Sequence, residues 1–398
     1  MALLKETAVL EGNDGVFYRI QSDLRMDHRV SQQAIEYMAE LSRALAENGT
    51  LLVYLPVPTK GLAMPQMLPR DARLYGYDAA LAGRVFQGLI ARFEAAGVAT
   101  VDALPQMTSL ASATPPFFKA DFHWTSFGAR AAAMAVAERL QREPNYQAME
   151  KARYTSQSVG PKTAFSGLRR LLQLSCHDAL PPVVTTGFET DKTPEGETAS
   201  VDLFAEAESA QIALVGTSFS DSDINNFAGF ISEATGLDVV NYALTGGNQF
   251  GAIQDYLTSR EFHENPPAIL LWENPIYNSL TRFGDQPMRE LIAAARGKCR
   301  KELVGSDGGG PEVDIPQDAT TRDTVLLDLG MADARRVAFN FEMPDGSTRR
   351  RVVQRSSRQT PTGRFFMPLS GFGTEFPTQL RVEAPNANTT SARFFLCN

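Results

Sequence analysis

Short apolar runs alternate with helical segments through most of this chain, and that alternation constrains its fold more than any other feature. Each run is four to six residues long, which predicts a buried strand in a mostly parallel sheet. Strands are expected at residues 51–55, 98–101, 212–215, 239–244 and 268–272. Helices are expected at residues 29–48, 78–95, 126–142, 223–235 and 249–259. The sequence therefore predicts an α/β domain.

The pattern changes near residue 298, where the helical segments end and short alternating segments begin. Turn signals separate these segments, which is typical of a small β-sandwich. Its strands are expected at residues 324–329, 336–342, 350–355, 364–369, 379–383 and 392–396. We therefore predict two domains, at residues 1–298 and 299–398. Within the first domain, the polar and acidic residues 185–200 are expected to form a mobile loop.

Composition and charge exclude several classes of protein. Apolar residues make up 43% of the 398 residues and charged residues 21%, as in globular chains. The net charge of -8 argues against a nucleic-acid-binding protein. No apolar run reaches the length of about 18 residues that a transmembrane helix needs. The sequence has no HExxH motif, no Cys/His cluster and no early GxGxxG, so we expect neither a metal nor a cofactor.

The chain has three cysteines, Cys176, Cys299 and Cys397. A disulfide between Cys299 and Cys397 would stabilise the C-terminal domain and would require an oxidising compartment. Three buried free thiols are the alternative. The first residues lack the basic start, apolar core and cleavage site of a signal peptide, which indicates either a cytoplasmic protein or a processed one.

Two segments carry residues suited to nucleophilic catalysis. Asp121 and His123 precede the alanine-rich helix, and in an extended segment their side chains point the same way. The carboxylate would then orient the imidazole as a general base. Ser218 follows the strand at residues 212–215, at a strand-to-helix turn of the kind that exposes a nucleophile. The ordinary alternatives are a surface histidine and a helix N-cap.

A third segment, at residues 245–248, follows the strand at residues 239–244. Its backbone N–H groups around Gly247, or the side-chain amide of Asn248, would face a tetrahedral oxyanion, and a tight turn is the alternative. This segment and the serine both follow strands of one sheet, so they are expected at the same sheet edge. The histidine segment can approach that edge, and the three segments together predict a Ser-His-Asp site.

Several segments resemble one known family, and they keep the family's order from about residue 12 to residue 398. The resemblance is carried by Gly12-Asn13-Asp14-Gly15-Val16-Phe17, Pro58-Thr59-Lys60-Gly61, Asp121-x-His123-Trp124-Thr125, Leu214-Val215-Gly216-Thr217-Ser218-x-Ser220, Asn226-Phe227-Ala228-Gly229-Phe230 and Glu261-Phe262-His263-x-Asn265-Pro266-Pro267 through Trp272-Glu273. These segments look like the periplasmic alginate O-acetyltransferase family AlgX. Members of that family have an SGNH-hydrolase-like domain followed by a carbohydrate-binding module.

This resemblance implies a fold, a location and an activity. The implied fold is an SGNH-hydrolase-like α/β domain followed by a small C-terminal β-sandwich, in a periplasmic protein. The implied activity transfers an acetyl group through an acyl-serine to hydroxyls of an exported uronate polysaccharide of the alginate type. Ser218 would be the nucleophile, His123 the general base and Asp121 its orienting partner. The implied partners are an acetyl donor or an acetyl-passing membrane complex, and proteins of an export complex.

The resemblance also assigns roles outside the triad. It implies that a Cys299–Cys397 disulfide closes the binding module. Cys176 matches a family cysteine whose partner lies in the N-terminal region, and because no cysteine precedes residue 176 in this sequence, that second bridge is either absent or has lost its partner by trimming, and we expect Cys176 to be free. Lys60, in one of the shared motifs, becomes a candidate contact for the oxyanion or the substrate. Asn225 holds the position of a substrate-side tyrosine of the family, so it is a further candidate substrate contact.

The C-terminal domain is rich in arginine. Residues 335–364 contain eight arginines against two acidic residues. Arginine pairs bidentately with carboxylates, so Arg336, Arg349 and Arg351 are predicted to bind a uronic-acid polymer, with a solvated strand face as the alternative. Two other functions remain open: an acetylesterase with the same triad, and a non-catalytic polysaccharide-binding subunit of an export complex.

Overall fold

The computed structural model of the protein describes residues 8–193, 211–305, 311–330, 332–372, 375–385, 387, 389 and 391–397. These residues form two compact units, each built from separate stretches of chain. The first unit takes its residues from Met1–Val30, Val53–Thr245 and Ala268–Ser279, and the second from Ser31–Leu52, Gly246–Pro267 and Leu280–Asn398. The predicted boundary after residue 298 follows chain order and stays a prediction.

The predicted helices and strands are all present, with ends that differ by a few residues. The strands are β1 (Val9–Glu11), β2 (Phe17–Arg19), β3 (Leu51–Val57), β4 (Ala99–Thr100), β5 (Tyr154–Thr163), β6 (Val184–Lys192), β7 (Ile212–Val215), β8 (Val239–Asn241), β9 (Ile269–Pro275), β10 (Cys299–Leu303), β11 (Glu312–Asp314), β12 (Thr324–Asp328), β13 (Arg336–Glu342), β14 (Thr348–Gln354), β15 (Arg364–Pro368), β16 (Gln379–Glu383) and β17 (Arg393–Cys397). The helices are α1 (Ile20–Asp23), α2 (Gln32–Ala46), α3 (Lys60–Ala63), α4 (Ala79–Ala95), α5 (Leu104–Thr108), α6 (Ser126–Leu140), α7 (Pro144–Ala148), α8 (Gly167–Gln173), α9 (Ser218–Asp221), α10 (Phe227–Thr235), α11 (Gly251–Thr258), α12 (Arg260–Glu264) and α13 (Gln286–Arg296).

The first unit is built on a five-stranded sheet with the order β4-β3-β9-β7-β8. Its pairs β3–β4, β7–β8 and β7–β9 are parallel, as the alternation of strands and helices predicts. In the β7–β9 pair, Val215 lies opposite Trp272. The chain that leaves β7 is therefore level with the last residues of β9, at the carboxyl edge of the sheet where α/β proteins place their sites.

The alanine-rich helix α6 begins where the sequence predicts. Thr125 is its N-cap, and the Thr125 Oγ1 accepts a hydrogen bond of 3.2 Å from the Gly128 N–H. A Cβ at Gly128 would lie 2.1 Å from the Pro116 carbonyl oxygen, so only glycine allows this close approach. The small side chains of α6 let α10 pack against it, and α10 packs in turn against β8 of the five-stranded sheet.

The structure corrects the loop that was predicted at residues 185–200. Residues 184–192 form β6, which pairs antiparallel with β5, and residues 194–200 lie outside the described residues. The side chains of this two-stranded sheet are mostly polar and partly exposed, so they lack the apolar alternation that marks a strand with one buried face.

The second unit contains a β-sandwich. One sheet has the order β10-β17-β12-β15 and the other the order β11-β16-β13-β14, and all their registered pairs are antiparallel. Side chains from both sheets share one core, which includes the buried Leu327, Phe339, Phe365 and Leu396. In the same unit, α2 and α13 pack against each other, and α13 packs against β15.

The Cys299–Cys397 disulfide is present and joins the ends of β10 and β17, as the family resemblance implies. Cys176 is outside any disulfide among the described residues. Of the helices in the described part of the chain, none combines the length and the apolar character that a membrane crossing requires.

Candidate active site

Ser218 is held at a sharp turn between β7 and α9. Thr217 has extended backbone angles and is the N-cap of α9, with its Oγ1 accepting a hydrogen bond of 3.3 Å from the Phe219 N–H. Ser218 is therefore the first residue of the helix rather than its cap. Its neighbours Phe219 and Ser220 are buried while Ser218 itself is partly exposed, so the turn presents this one hydroxyl.

Asp121 and His123 meet through a tight turn rather than an extended segment. The Asp121 Oδ1 accepts hydrogen bonds from the His123 backbone N–H at 2.9 Å and from the His123 Nδ1 at 2.6 Å. The Phe118 N–H donates to the His123 carbonyl, which closes the loop. An extended segment would place both side chains on one side of a strand, whereas the structure brings them together by an aspartate turn.

His123 connects this loop to the serine. The His123 Nε2 lies 2.8 Å from the Ser218 Oγ, so Asp121, His123 and Ser218 form a continuous chain of hydrogen bonds. Burial opposes ionisation of Asp121, but its hydrogen bonds with the side chain and the backbone of His123 hold the pKa of the carboxyl below its usual range. An ionised carboxylate only accepts hydrogen bonds. The proton of neutral His123 therefore lies on Nδ1, and Nε2 can accept the proton of Ser218.

Aromatic contacts fix the position of the imidazole. The His123 ring lies 4.2 Å from the Phe122 ring and 4.9 Å from the Phe219 ring, measured between centroids. The Trp124 Nε1 donates a hydrogen bond of 2.7 Å to the Phe219 carbonyl, which ties the histidine loop directly to the serine turn. The two loops are thus packed against each other, which preorganises the geometry between base and nucleophile.

A partly buried arginine that the sequence does not single out packs against the histidine loop. Arg19 pairs bidentately with Asp23, through contacts of 3.0 and 2.9 Å. Its guanidinium carbon lies 4.3 Å from the centre of the Phe122 ring and 4.5 Å from that of Tyr277. Phe122 is the residue between Asp121 and His123, so this stacking holds the loop at its centre.

Lys60 forms structural hydrogen bonds, and its predicted contact with the oxyanion or substrate stays a prediction. Its side chain is buried, and the Nζ donates to the carbonyls of Phe17 at 2.8 Å and Lys119 at 3.0 Å. Burial lowers the pKa of Lys60 to about 7, against the opposing effect of the nearby Asp23 and Asp121 carboxylates. The ammonium thus anchors the start of the loop that carries Asp121.

The other predicted oxyanion and substrate residues lie in different settings. Asn225 is buried in the first unit, between α9 and α10, and its Oδ1 has no hydrogen-bond partner among the described residues. Gly247 and Asn248 belong to the second unit, where the Gly247 carbonyl and the Asn248 Oδ1 accept hydrogen bonds at the start of α11. Their predicted roles at an oxyanion or substrate stay predictions.

Two of the predicted polysaccharide-binding arginines, the exposed Arg349 and the partly buried Arg351, form hydrogen bonds within the sandwich, and their predicted contact with a polymer stays a prediction. Arg349 and Arg351 lie on the edge strand β14, opposite two core phenylalanines of β13, and therefore on the core-facing side. Arg349 donates one hydrogen bond and Arg351 two, all of 2.7–2.8 Å, to backbone carbonyls within residues 368–372. We therefore assign both side chains to anchoring the loop after β15. Arg336 is exposed on the opposite face, and its predicted contact with a polymer stays a prediction.

Three more of the eight arginines are also committed to the fold. Arg355 is buried and pairs bidentately with Glu290 at 2.9 and 2.7 Å. Arg364 donates to backbone carbonyls of residues 258 and 259, and Arg335 donates to those of residues 356 and 359. Most of the eight arginines in this region therefore form hydrogen bonds or ion pairs within the fold, and few of them are available as a free basic surface.

Among the described residues, there is no cluster of three or more His, Cys, Asp or Glu side chains that could hold a metal ion.

Comparison with known proteins gives consistent results. Residues 9–276 match the family described as "SGNH hydrolase-like domain, acetyltransferase AlgX". The alginate biosynthesis protein AlgX of Pseudomonas aeruginosa is 36% identical over 267 residues, which are 67% of this chain and 55% of the relative. AlgX of Pseudomonas syringae pv. tomato is 33% identical over 367 residues, 86% of this chain and 75% of the relative. The solved structure of P. aeruginosa AlgX superposes with a TM-score of 0.83 at 26% identity, covering 99% of this chain and 94% of that one.

Proposed function

This chain belongs to the AlgX family of SGNH hydrolase-like acetyltransferases, and on that premise we propose that it transfers acetyl groups through Ser218 to hydroxyls of a uronate polysaccharide. The observation that carries the proposal is the geometry around His123. One ring nitrogen lies 2.6 Å from the Asp121 Oδ1 and the other 2.8 Å from the Ser218 Oγ. This is the arrangement that activates a serine hydroxyl for acyl transfer.

In the first half of the reaction, the Ser218 Oγ attacks the acetyl carbonyl of the donor while the His123 Nε2 accepts the hydroxyl proton. The bond between the acetyl carbon and the donor oxygen then breaks, and His123 returns the proton to that leaving oxygen. The ionised Asp121 stabilises the imidazolium that forms between the two steps. An acetyl-serine ester is left on the enzyme.

In the second half, a sugar hydroxyl takes the place of the donor. His123 accepts the proton of that hydroxyl as its oxygen attacks the acetyl-serine carbonyl. The ester bond to the Ser218 Oγ then breaks, and His123 returns the proton to the serine. The products are an O-acetyl sugar and the unmodified enzyme, so protons and acyl groups balance over the cycle.

The backbone of the serine turn supports an oxyanion position. Among the amides of residues 217–221, the Thr217 N–H donates to a carboxyl group and the Phe219, Ser220 and Asp221 N–H groups donate to Thr217 oxygens. Within the described residues, the Ser218 N–H is left without such an internal acceptor. It is therefore suited to donate to the negative oxygen of a tetrahedral intermediate at the Ser218 Oγ.

The polymer, the location and the partners belong to the same proposal. The relatives are named for alginate biosynthesis, which favours an exported uronate polymer of the mannuronate type as acceptor. The Cys299–Cys397 disulfide favours an oxidising compartment such as the periplasm. Acetyl groups would then reach Ser218 from a donor or an acetyl-passing membrane complex, beside the proteins that export the polymer.

Mass spectrometry of the intact protein tests the serine. We expect an acetyl group on Ser218 after incubation with an activated acetyl ester, and its loss to O-acetyl sugar when mannuronate oligomers are added. Ser218→Ala and His123→Ala should each lower turnover at least about a thousandfold, and the double variant should be no worse than either. Ser222→Ala, which changes a nearby serine outside the hydrogen-bonded chain, is the matched control and should keep full turnover.

The same assay separates the alternative functions. If acetyl-serine is hydrolysed at the same rate in the presence and in the absence of the oligomers, the protein is an acetylesterase. Polymer binding without any acetyl-serine, unchanged in Ser218→Ala, would identify a non-catalytic subunit and overturn the proposal.

A further inference from the structure

A fully buried carboxyl group lies directly beneath the turn that carries Ser218. Glu273 is on β9, one residue past the point where Trp272 pairs with Val215 of β7, and none of its surface is exposed. Among the described residues no lysine, arginine or histidine forms an ion pair with it. A buried carboxyl without a cation is costly to maintain, so its hydrogen bonds have to compensate for the lost water.

Among the described residues, the hydrogen bonds to the Glu273 carboxyl all come from residues on either side of the nucleophile. Its Oε2 accepts from the Thr217 N–H at 2.8 Å and from the Ser220 Oγ at 2.9 Å. The Thr217 Oγ1 lies 3.2 Å from each of the two carboxyl oxygens. The residue before the nucleophile and the residue two places after it are thus both tied to one group on the neighbouring strand.

Gly216 shows how closely the turn is seated on this carboxyl. A Cβ at Gly216 would lie 2.5 Å from the Glu273 Oε2 and 3.1 Å from the Glu273 Cβ, so any side chain here would force the two strands apart. Glycine lets the backbone approach until the Thr217 N–H reaches the carboxyl. The contact is therefore a packed junction and not a flexible surface pair.

The consequence concerns Ser218, which lies between the two tied residues. The Thr217 N–H donates to Glu273, while the Ser218 Oγ bonds to the His123 Nε2 and, within the described residues, the Ser218 N–H has no acceptor in the turn. We propose that Glu273 is a positioning residue for Ser218, which fixes the Thr217–Ser220 turn so that the serine Oγ and N–H both face the reacting carbonyl. This inference rests on the proposed acyl transfer and assigns Glu273 no contact with substrate.

The hydrogen-bonded turn is compatible with either protonation state of the carboxyl. Burial raises the pKa of Glu273 to about 7, against the effect of the hydrogen bonds from Thr217 and Ser220. Its negative charge contributes to raising the pKa of Tyr54 on β3 and of Tyr277 after β9. When protonated, Glu273 can donate to a hydroxyl oxygen of Thr217 or Ser220 and still accept from the Thr217 N–H.

Three variants separate positioning from simple support of the fold. Glu273→Ala removes every hydrogen bond to the turn, and we expect kcat for an activated acetyl ester to fall by about a hundredfold while KM changes less than about twofold. Glu273→Gln keeps the size and an acceptor for the Thr217 N–H, and should restore kcat to within about fivefold of the unmodified protein. Asn274→Ala is the matched control, since Asn274 is equally buried on β9 but bonds to Tyr54 instead. It should lower the melting temperature and leave kcat unchanged.

A second readout does not require acetyl turnover. The rate at which phenylmethylsulfonyl fluoride labels Ser218, followed by intact mass, should fall in Glu273→Ala by a factor similar to that for kcat and stay unchanged in Asn274→Ala. Equal labelling of Glu273→Ala and the unmodified protein would overturn the positioning role, whether or not acetyl transfer occurs. If labelling falls as expected but the unmodified protein shows no Ser218-dependent turnover, the positioning role stands and the proposed function fails.

Discussion

At the scale of single residues, Lys60 provides the sharpest contrast between a structural and a substrate-binding role. Lys60→Met keeps the length of the side chain but removes both donors to the carbonyls of Phe17 and Lys119. The Phe17 carbonyl would lose the Lys60 Nζ, while the Lys119 carbonyl would keep its hydrogen bond from the Phe17 N–H, so we expect the free energy of unfolding to fall by about 1–3 kcal/mol. The loop that carries Asp121 would loosen, so kcat should fall about tenfold with KM unchanged. Urea unfolding and steady-state kinetics measure both effects.

Lys119→Met is the control for this change, because Lys119 is in the same loop but is half-exposed and pairs with Asp14 at the surface. It should alter neither stability nor kcat by a measurable amount. A rise in KM for Lys60→Met at unchanged stability would instead support the substrate contact that the sequence predicts.

The buried carboxyl of Glu273 makes stability depend on pH. Its pKa rises from 4.5 to about 7 on folding, so the folded state holds the proton more tightly than the unfolded state. The resulting stabilisation is complete below pH 4.5 and is lost as the pH rises through 7, which amounts to about 3 kcal/mol. Glu273→Gln does not titrate. The stability of the unmodified protein relative to this variant should therefore fall between pH 5 and pH 8, measured from urea midpoints.

Asn274→Ala should change the free energy of unfolding by the same amount at pH 5 and at pH 8. This variant therefore controls for the titration of other groups. A difference between the unmodified protein and Glu273→Gln that is constant from pH 5 to pH 8 would show that the carboxyl keeps its ordinary pKa.

The residues at the site differ in how readable they are from the sequence. Ser218 follows a strongly apolar strand and His123 precedes a well-capped helix, so both could be proposed from local patterns. Glu273 and Arg19 could not. Glu273 is 56 residues from Thr217, and Arg19 meets Phe122 and Tyr277 only in the folded chain. A side chain that acts through distant partners leaves no local periodicity to detect.

At the scale of elements, the disulfide gives a direct prediction. It closes a separation of 98 residues, so in the chain-entropy description its loss should lower the free energy of unfolding by about 4–5 kcal/mol. We expect a Cys299→Ser/Cys397→Ser variant to melt earlier in calorimetry, with faster hydrogen exchange in β10 and β17. Cys176→Ser, which changes a cysteine outside the bridge, should behave like the unmodified protein. Equal melting of all three proteins would contradict a stabilising bridge.

The elements also show where pattern reading works. Helix α2 and strand β7 have a clear apolar face or core, and both were predicted within a few residues. The polar strands β6 and β10 were not, because most of their side chains are not buried and their sequences alternate weakly. Strand β6 pairs with β5, and β10 pairs with β17 beside the disulfide. A local sequence pattern does not contain these distant partners.

At the scale of the whole molecule, charge counted along the sequence differs from charge presented at a surface. The net charge is -8, and the arginines of residues 335–364 suggest a basic exception. Many of those guanidiniums are bonded within the second unit, including Arg349 and Arg351. Ion pairs such as Arg355–Glu290 and Arg350–Glu383 offset part of that charge, so a uronate polymer would meet less net positive charge on the sandwich than the arginine count indicates.

This distinction can be measured. Changing Arg349 and Arg351 together to alanine should lower the free energy of unfolding by about 2–3 kcal/mol, because three charge-assisted hydrogen bonds are lost from partly buried groups. The salt dependence of mannuronate-oligomer binding, from calorimetry at two salt concentrations, should stay the same. Arg336→Ala is the exposed control and should leave stability unchanged. If the double variant lost affinity for the oligomers while keeping normal stability, both arginines would be polymer-binding residues.

The strand order β10-β17-β12-β15 has a consequence for how the sandwich is completed in time. Strand β17 is the latest of the four in sequence, yet it lies between β10 and β12 and pairs with both. During synthesis the other three strands emerge first, and until β17 arrives β10 and β12 each carry an unsatisfied edge. The sheet therefore cannot assemble vectorially, and its closure and the oxidation of Cys299 both wait for the same segment of chain.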